Sequence, residues 1–173
     1  MKMSDGVEWA IHCCTMLAFL DGDQTLPAAK LAEYHGVPPA YLAKHLQALV
    51  RAGVCESVSG PRGGFRLARP AVEVTLLDIT LAVDGDETAF RCTEIRQRGP
   101  AGQPPACYTQ ACGIAVTMWR AEDAWRRELR AVSVADVAGS LAGSVHPDQL
   151  MESAVWLNDT LENRGNRTPG GTS

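Results

Sequence analysis

Apolar residues recur at helical spacing in the first third of the chain, and they predict three helices. Residues 6–20 are apolar around most of a helical circumference, which predicts a buried helix. Pro27 and Gly36 bracket a short helix over AAKLAEYH, because proline suits a first helical turn and glycine a helix end. In VPPAYLAKHLQALVRAGV, an apolar stripe begins at Leu42 and the helix ends at Gly53.

A hairpin pattern follows these helices. The segments VCESVS and GFRLARP alternate in polarity around GPRGG, which predicts a β-hairpin whose glycine-rich tip carries Arg62. Two short helices with a three-residue connection, followed by such a hairpin, are typical of a winged helix-turn-helix. The predicted fold is therefore mainly α with a small β-hairpin wing, and residues 1–84 form the predicted DNA-binding domain.

The remainder of the chain predicts further helices around an irregular loop. Thr75 and Asp78 form a capping-box pattern at the start of a short helix. Residues 85–112 are too rich in Gly and Pro for regular structure. From Gly113, apolar positions three and four apart predict a long helix with a helix–helix seam: Ile114, Met118, Ala121, Trp125, Leu129 and Val132. We assign 113–138 to a dimerisation helix region, 139–162 to a C-terminal helical segment and 163–173 to a disordered tail.

The net charge is −4, but the charges are unevenly distributed. Residues 24–70 carry six Lys and Arg against two acids, whereas residues 71–173 carry nine against fourteen. The first region therefore suits a phosphate-bearing partner, and the second would be repelled by one. Asp5 and Glu8 stand where a signal peptide carries positive charge, and no apolar run reaches membrane-spanning length. We expect a cytoplasmic protein without a membrane partner.

The second helix of a helix-turn-helix reads base edges in the major groove with its exposed, N-terminal side chains. The residues expected to face outward there are Ala40, Tyr41, Lys44, His45 and Gln47. Gln47 would pair with an adenine edge, and Lys44 would meet guanine or a phosphate. Arg62, flanked by Gly63 and Gly64, would follow a minor groove. The predicted partner is double-stranded DNA.

Six cysteines divide into two groups. Three have apolar surroundings and are predicted core residues: Cys13, Cys14 and Cys55. The others, Cys92, Cys107 and Cys112, follow a C-x14-C-x4-C spacing in the irregular loop. In a reducing compartment such a trio indicates an iron–sulfur cluster, a zinc site or a reversible Cys107–Cys112 disulfide. A thiol oxidoreductase is disfavoured, since the sequence shows neither a C-x2-C motif nor a nucleophile–base constellation, and we predict no enzymatic activity.

The order of these segments resembles a known family. A buried first helix, PPAYLAKHLQALVRAGV, the wing SGPRGGFRLARP, TLLDITLAVDG, a three-cysteine loop and a long helix together resemble the Rrf family of winged-helix iron–sulfur transcriptional regulators. The resemblance covers roughly residues 1–138. It implies a homodimer that binds a palindromic operator under the control of its cluster.

The same resemblance suggests a ligand set. Family members usually hold the cluster with three cysteines spaced C-x5-C-x5-C and one other ligand, whereas the first gap is longer here. VEWAIHCC and CTEIRQRGP resemble a redox-sensing subgroup of the family. That likeness implies a 2Fe–2S cluster held by Glu8 and His12 of one subunit with Cys92 and Cys112 of the other, leaving Cys107 as a spare or alternative thiol. Without the resemblance, the four-residue spacing of Glu8 and His12 would indicate only a surface pair.

Overall fold

A computed structural model describes residues 3–165, without the side chains of residues 142, 164 and 165. The helices are α1 Asp5–Leu17, α2 Ala28–His35, α3 Pro39–Arg51, α4 Leu76–Asp84, α5 Gly113–Ala131, α6 Val134–Ser144 and α7 Pro147–Gly165, and the strands are β1 Cys55–Val58 and β2 Gly64–Leu67. The predicted mainly helical fold with one antiparallel hairpin is confirmed. In the described part of the chain, no helix has the length and apolar content that crossing a membrane requires.

The helix-turn-helix forms for the local reasons that the sequence indicated. Helix α2 ends at Gly36, whose φ of 64° lies in the left-handed region that glycine tolerates. Pro38 and Pro39 then begin α3, because a proline in the first turn loses no hydrogen bond. The inner face of α3 is fully buried at Leu42 and Leu46. The predicted bounds of α2 are confirmed residue for residue.

The hairpin is fastened to the helices by its second strand. Phe65 of β2 is buried, and it exchanges two backbone hydrogen bonds with Leu26, of 3.0 and 2.8 Å. A side chain at Gly64 would collide with the Leu26 backbone, the nearest atoms lying 2.6 Å from an added Cβ. Glycine at this position therefore lets the wing approach the segment that leads into α2.

Helix α1 lies at the centre of the core. Ala10, Cys13 and Cys14 are fully buried in the same cluster as the α3 leucines. Cys55 is also buried, so the prediction of three core cysteines is confirmed. The helix ends at Leu17 rather than at residue 20, because the next residues form tighter turns with i to i−3 backbone bonds.

The long fifth helix is shorter than predicted. It ends at Ala131, before the end of the predicted 113–138 region, because Ser133 caps α6 in a capping box with Asp136. Val132 is extended, and its carbonyl accepts a 2.9 Å hydrogen bond from the Leu76 backbone. Val132 therefore does not continue the predicted stripe. The capping box predicted for α4 is confirmed.

The C-terminal helix α7 extends further than predicted. Leu157 is 9% exposed in the core cluster, and the Trp156 ring lies 4.7 Å from that of Tyr34 on α2. Residues 163–165, assigned to a disordered tail, are helical. The rest of that predicted tail, 166–173, lies outside the described residues.

Burial predicts which apolar side chains stabilise the fold. Replacing Leu46, which is fully buried on α3, by Ala is expected to cost about 2–5 kcal/mol of unfolding free energy, because a cavity remains. The control Met151→Ala on α7, where the side chain is 64% exposed, should change it by less than about 0.5 kcal/mol. Urea denaturation measures both, and equal losses would contradict this account of the core.

Candidate functional site

The outer face of α3 carries four of the five predicted base-reading residues in exposed positions: Ala40, Tyr41, Lys44 and Gln47. The Tyr41 side chain is 64% exposed, although it is large and partly apolar. The buried leucines on the opposite face fix the rotation of the helix. The described protomer therefore leaves this face open to a ligand.

The wing tip presents Arg62 on a backbone that other residues hold in place. The Thr25 hydroxyl donates a 2.8 Å hydrogen bond to the Arg62 carbonyl, and the Arg62 side chain is exposed. The Gly63 amide donates a 2.8 Å bond to the Gly60 carbonyl, and a Cβ at Gly63 would collide with the Val58 carbonyl. Gly63 and Gly64 thus have structural reasons to be glycine, whatever they contact outside the chain.

Ion pairs within the chain occupy some of the cationic side chains near the outer face of α3 and leave others without an acidic partner among the described residues. Arg66 binds Asp23 and Glu56, and Arg69 binds Asp78. Among the described residues, no ion pair involves the remaining cations of the wing and recognition helix, which are Lys44, Arg51 and Arg62. The cationic groups that can meet a polyanion are therefore those at the exposed face and the tip.

The fifth predicted base-reading residue, His45, has a different environment. Its side chain is half-buried, and its ring meets the Trp9 ring edge-on at 6.0 Å. Burial, together with the charge of neighbouring Lys44, lowers the pKa of His45 despite the opposing effect of Asp84. The ring is therefore neutral at pH 7 and packs on α1.

Glu8 and His12 both lie on the exposed face of α1, one helical turn apart. The His12 ring lies 5.6 Å from that of His35 at the end of α2. Burial, with His12 as the second cause, lowers the pKa of His35 to about 4. His35 is therefore a neutral packing residue beside His12.

The three loop cysteines have three different environments. Cys92 is half-buried and donates a 3.4 Å hydrogen bond to Glu94, Cys107 is exposed, and Cys112 is buried at the start of α5. The backbone N–H groups of Ala115 and Ile114, in the first turn of α5, lower the pKa of Cys112. Thiolate is the form of cysteine that binds metals, so the start of α5 favours the ligating form.

One arginine that the sequence reasoning missed organises this loop. The positive charge of Arg96 interacts with both Cys92 and Cys112, while its guanidinium binds Glu94 at 2.8 Å. The guanidinium also donates a 3.1 Å bond to the Gln110 carbonyl and lies over the Tyr108 ring. No spacing rule pointed to Arg96, because its partners lie up to sixteen residues away along an irregular loop.

A buried carboxylate, also missed, anchors the start of the loop. Glu122 on α5 is 7% exposed and accepts a 3.0 Å hydrogen bond from the Ala89 backbone. Arg126 binds Glu122 and also Asp86. Glu122 therefore holds the segment that leads to Cys92 against α5.

The structure brings some predicted ligands together and not others. Cys92 and Cys112 share Arg96, whereas Cys107 is not among the groups that interact with it. Within residues 3–165 of a single chain, no three His, Cys, Asp or Glu side chains converge on a metal-sized site. The chain thus shows two separate pairs, Glu8 with His12 on α1 and Cys92 with Cys112 on the loop.

The apolar stripe of α5 faces outward in the single chain. Its first residues are 68% exposed at Ile114 and 42% exposed at Met118, and neighbouring Trp119 is 40% exposed. Only Ala115 and Glu122 of this helix are buried among the described residues.

Comparison with known proteins identifies similar regulators. The family profile described as "Rrf2: Iron-dependent Transcriptional regulator" matches residues 3–140. The chain is 31% identical over 137 residues to YwgB of Bacillus subtilis, covering 79% of this chain and 84% of the relative. It is 28% identical over 120 residues to the HTH-type transcriptional regulator IscR of Vibrio vulnificus, covering 69% and 66%. The structure of CymR, the global cysteine regulator of B. subtilis, superposes with a TM-score of 0.61 at 21% identity, covering 80% and 97%.

The cysteine environments predict an order of chemical reactivity. Alkylation at pH 8 should label Cys107 readily and leave Cys13, Cys14 and Cys55 unlabelled, because these three side chains are buried. Burial also raises the pKa of Cys13 to about 12, and a hydrogen bond with Cys55, together with burial, raises the pKa of Cys14 above its usual value. Peptide mass spectrometry after a timed reaction measures this order. In denaturant all six should react, and native labelling of the core cysteines at the rate of Cys107 would contradict their placement.

Proposed function

The chain belongs to the Rrf2 family of DNA-binding transcriptional regulators, which are not enzymes, and we propose that it is a homodimeric redox sensor whose iron–sulfur cluster controls operator binding. It would act in the cytoplasm on a palindromic DNA site. The α3 helices of the two protomers would enter major grooves in half-sites about one helical turn apart.

The shared interaction of Cys92 and Cys112 with the positive charge of Arg96 is the observation that carries this proposal. A cluster needs thiolates, and the backbone N–H groups at the start of α5 lower the pKa of Cys112. The exposed pair Glu8 and His12 supplies the oxygen and nitrogen donors of a mixed ligand set. The donor set therefore fits a 2Fe–2S cluster, with two protein ligands for each iron.

A cluster bound there would supply reversible one-electron chemistry. Replacing thiolate ligands by a neutral imidazole raises the reduction potential of an iron–sulfur centre. The residues of this chain have simpler tasks. Arg96 places a positive charge beside both sulfurs, and Glu122 holds the start of the loop against α5.

The outward-facing stripe of α5 supports the homodimer. Ile114, Met118 and Trp119 form an exposed apolar surface of the kind that a second copy of the helix buries. A closed dimer would also bring the loop of one protomer towards α1 of its partner. In that arrangement Glu8 and His12 complete the ligand set begun by Cys92 and Cys112.

A second candidate is a zinc- or thiol-based regulator with the same DNA-binding domain. Cys107 is exposed, and the lowered pKa of Cys112 favours the nucleophilic thiolate. An oxidant such as a peroxide would convert one thiol to a sulfenic acid, and the other would displace water to form the disulfide. The similarity to CymR, whose structure is described as that of a global cysteine regulator, keeps this candidate open.

Subunit mixing tests the proposed ligands. One double variant carries Glu8→Ala and His12→Ala, and the other carries Cys92→Ser and Cys112→Ser. Each should form a colourless homodimer on its own, because every cluster site then lacks two ligands. Coexpressed under anaerobic conditions, the two variants should recover about a quarter of the parental visible absorption per protomer, since only heterodimers contain one complete site.

Controls for this experiment separate the candidates. Cys107→Ser should retain the full absorption, and the variants should remain dimers by light scattering. Mixing that restores no colour would contradict ligands from two subunits. A parent protein that is colourless when purified anaerobically and supplied with iron would instead favour the zinc or thiol mechanism.

DNA binding depends on exposed cations according to this account. Lys44→Ala and Arg62→Ala should weaken operator binding, and each lost phosphate contact should reduce the slope of log affinity against log salt by about one. Fluorescence anisotropy over a salt series measures this slope. Arg130→Ala, at an exposed site on α5, is the matched control and should leave it unchanged. Parental affinity in both variants would reject this face as the interface.

A further inference from the structure

We propose that His45 is a positioning residue that couples α1 to the recognition helix α3, so that a displacement of α1 moves the DNA-reading face. The sequence alone suggested that His45 contacts DNA directly. The coupling of His45 to α1 is an inference from packing, and its redox consequence rests on the proposed function.

Helices α1 and α3 are in close contact at Gly6 and His45. Gly6 lies in the first turn of α1, and a Cβ added there would lie 2.6 Å from Nε2 and 2.8 Å from Nδ1 of His45. Even closer to that Cβ would be the Cε1 atom between them. The His45 ring therefore occupies the space that any other residue at position 6 would need.

Two further contacts fix the same end of α1. Trp9, one turn along, meets the His45 ring edge-on, so the imidazole contacts two successive turns of the helix. Ser4, just before α1, donates a 3.0 Å backbone hydrogen bond to Asp84 at the end of α4. The first turn of α1 is thus held between α3 and α4.

His45 lies between residues of α3 that are proposed to contact DNA, so a shift of its ring would move them. Lys44 precedes it and Gln47 follows by two residues, and both of those side chains are exposed on the proposed DNA face. On the other side of the contact, Glu8 and His12 lie on the same rigid helix as Gly6, at most about 9 Å along its axis. Because close-packed interfaces transmit small shifts, movement at the proposed ligands would reach the recognition helix through His45.

Substituting Gly6 tests the contact directly. Alanine is the better helix former, so Gly6→Ala should not harm α1 itself. The added methyl group must displace His45, and we expect operator affinity to fall by about tenfold while the dimer and any visible spectrum are retained. Gly139→Ala on α6, where an added Cβ meets nothing within 4 Å, is the matched control and should bind like the parent.

A second substitution keeps the test informative if Gly6→Ala folds poorly. His45→Ala removes the obstacle, so Gly6→Ala combined with His45→Ala should bind within about threefold of His45→Ala alone. His45→Ala itself should leave the salt slope of binding unchanged, because His45 contacts α1 rather than phosphate. Any of three results would overturn the proposal. Gly6→Ala could bind the operator with parental affinity, the double variant could bind more than threefold more weakly than His45→Ala, or His45→Ala could show a reduced salt slope.

The redox arm separates this inference from the proposed function. If the oxidised and reduced parent proteins bind the operator with different affinities, His45→Ala should bring the ratio of these two affinities close to one. The visible spectrum should stay unchanged. An unchanged ratio would overturn the coupling. If the parent holds no cluster, the sensor function fails, and the Gly6 and His45 affinities still decide whether α1 positions the recognition helix.

Discussion

The packing of α1 is the constraint on which the rest of the structure depends. One face of this helix is buried in the core with the leucines of α3, and its thiols there are shielded. The opposite face exposes Glu8 and His12. Its first turn contacts α3 and α4 so closely that a Cβ added at position 6 would collide with the His45 ring. A single rigid element therefore links a surface of donor atoms to α3, the proposed recognition helix.

The cysteine loop, residues 85–112 of the described chain, contains only two short 3-10 helices, Ile95–Gln97 and Pro105–Cys107, and interactions between charged and aromatic groups connect its segments. Arg96 binds Glu94 and the Gln110 carbonyl and lies over Tyr108, whose hydroxyl donates to the Arg96 carbonyl. In this position the charge of Arg96 interacts with two distant cysteines, Cys92 and Cys112. Cys107 is exposed and is not among the groups that interact with Arg96.

Local signals allowed much of the fold to be predicted. Gly36, the Thr75 capping box and the α3 leucine stripe each depend on neighbouring residues, so the sequence revealed them. The break before Ser133 also has a local signal, the capping box with Asp136, which the sequence reading missed. The burial of Glu122 and the contact of His45 with Gly6 depend on segments far apart in the chain. For the same reason, periodicity along α3 placed His45 among exposed residues although α1 covers it in part.

The central claim is that α1 of one protomer and the loop of the other hold one iron–sulfur cluster, which biases the recognition helices through α1. The most direct test is a crystal structure of the anaerobically purified dimer with anomalous data at the iron absorption edge. We predict iron bonded to Cys92 and Cys112 of one protomer and to Glu8 and His12 of its partner. Iron held only by Cys92, Cys107 and Cys112 of a single chain, or no iron in metal-replete protein, would contradict the account.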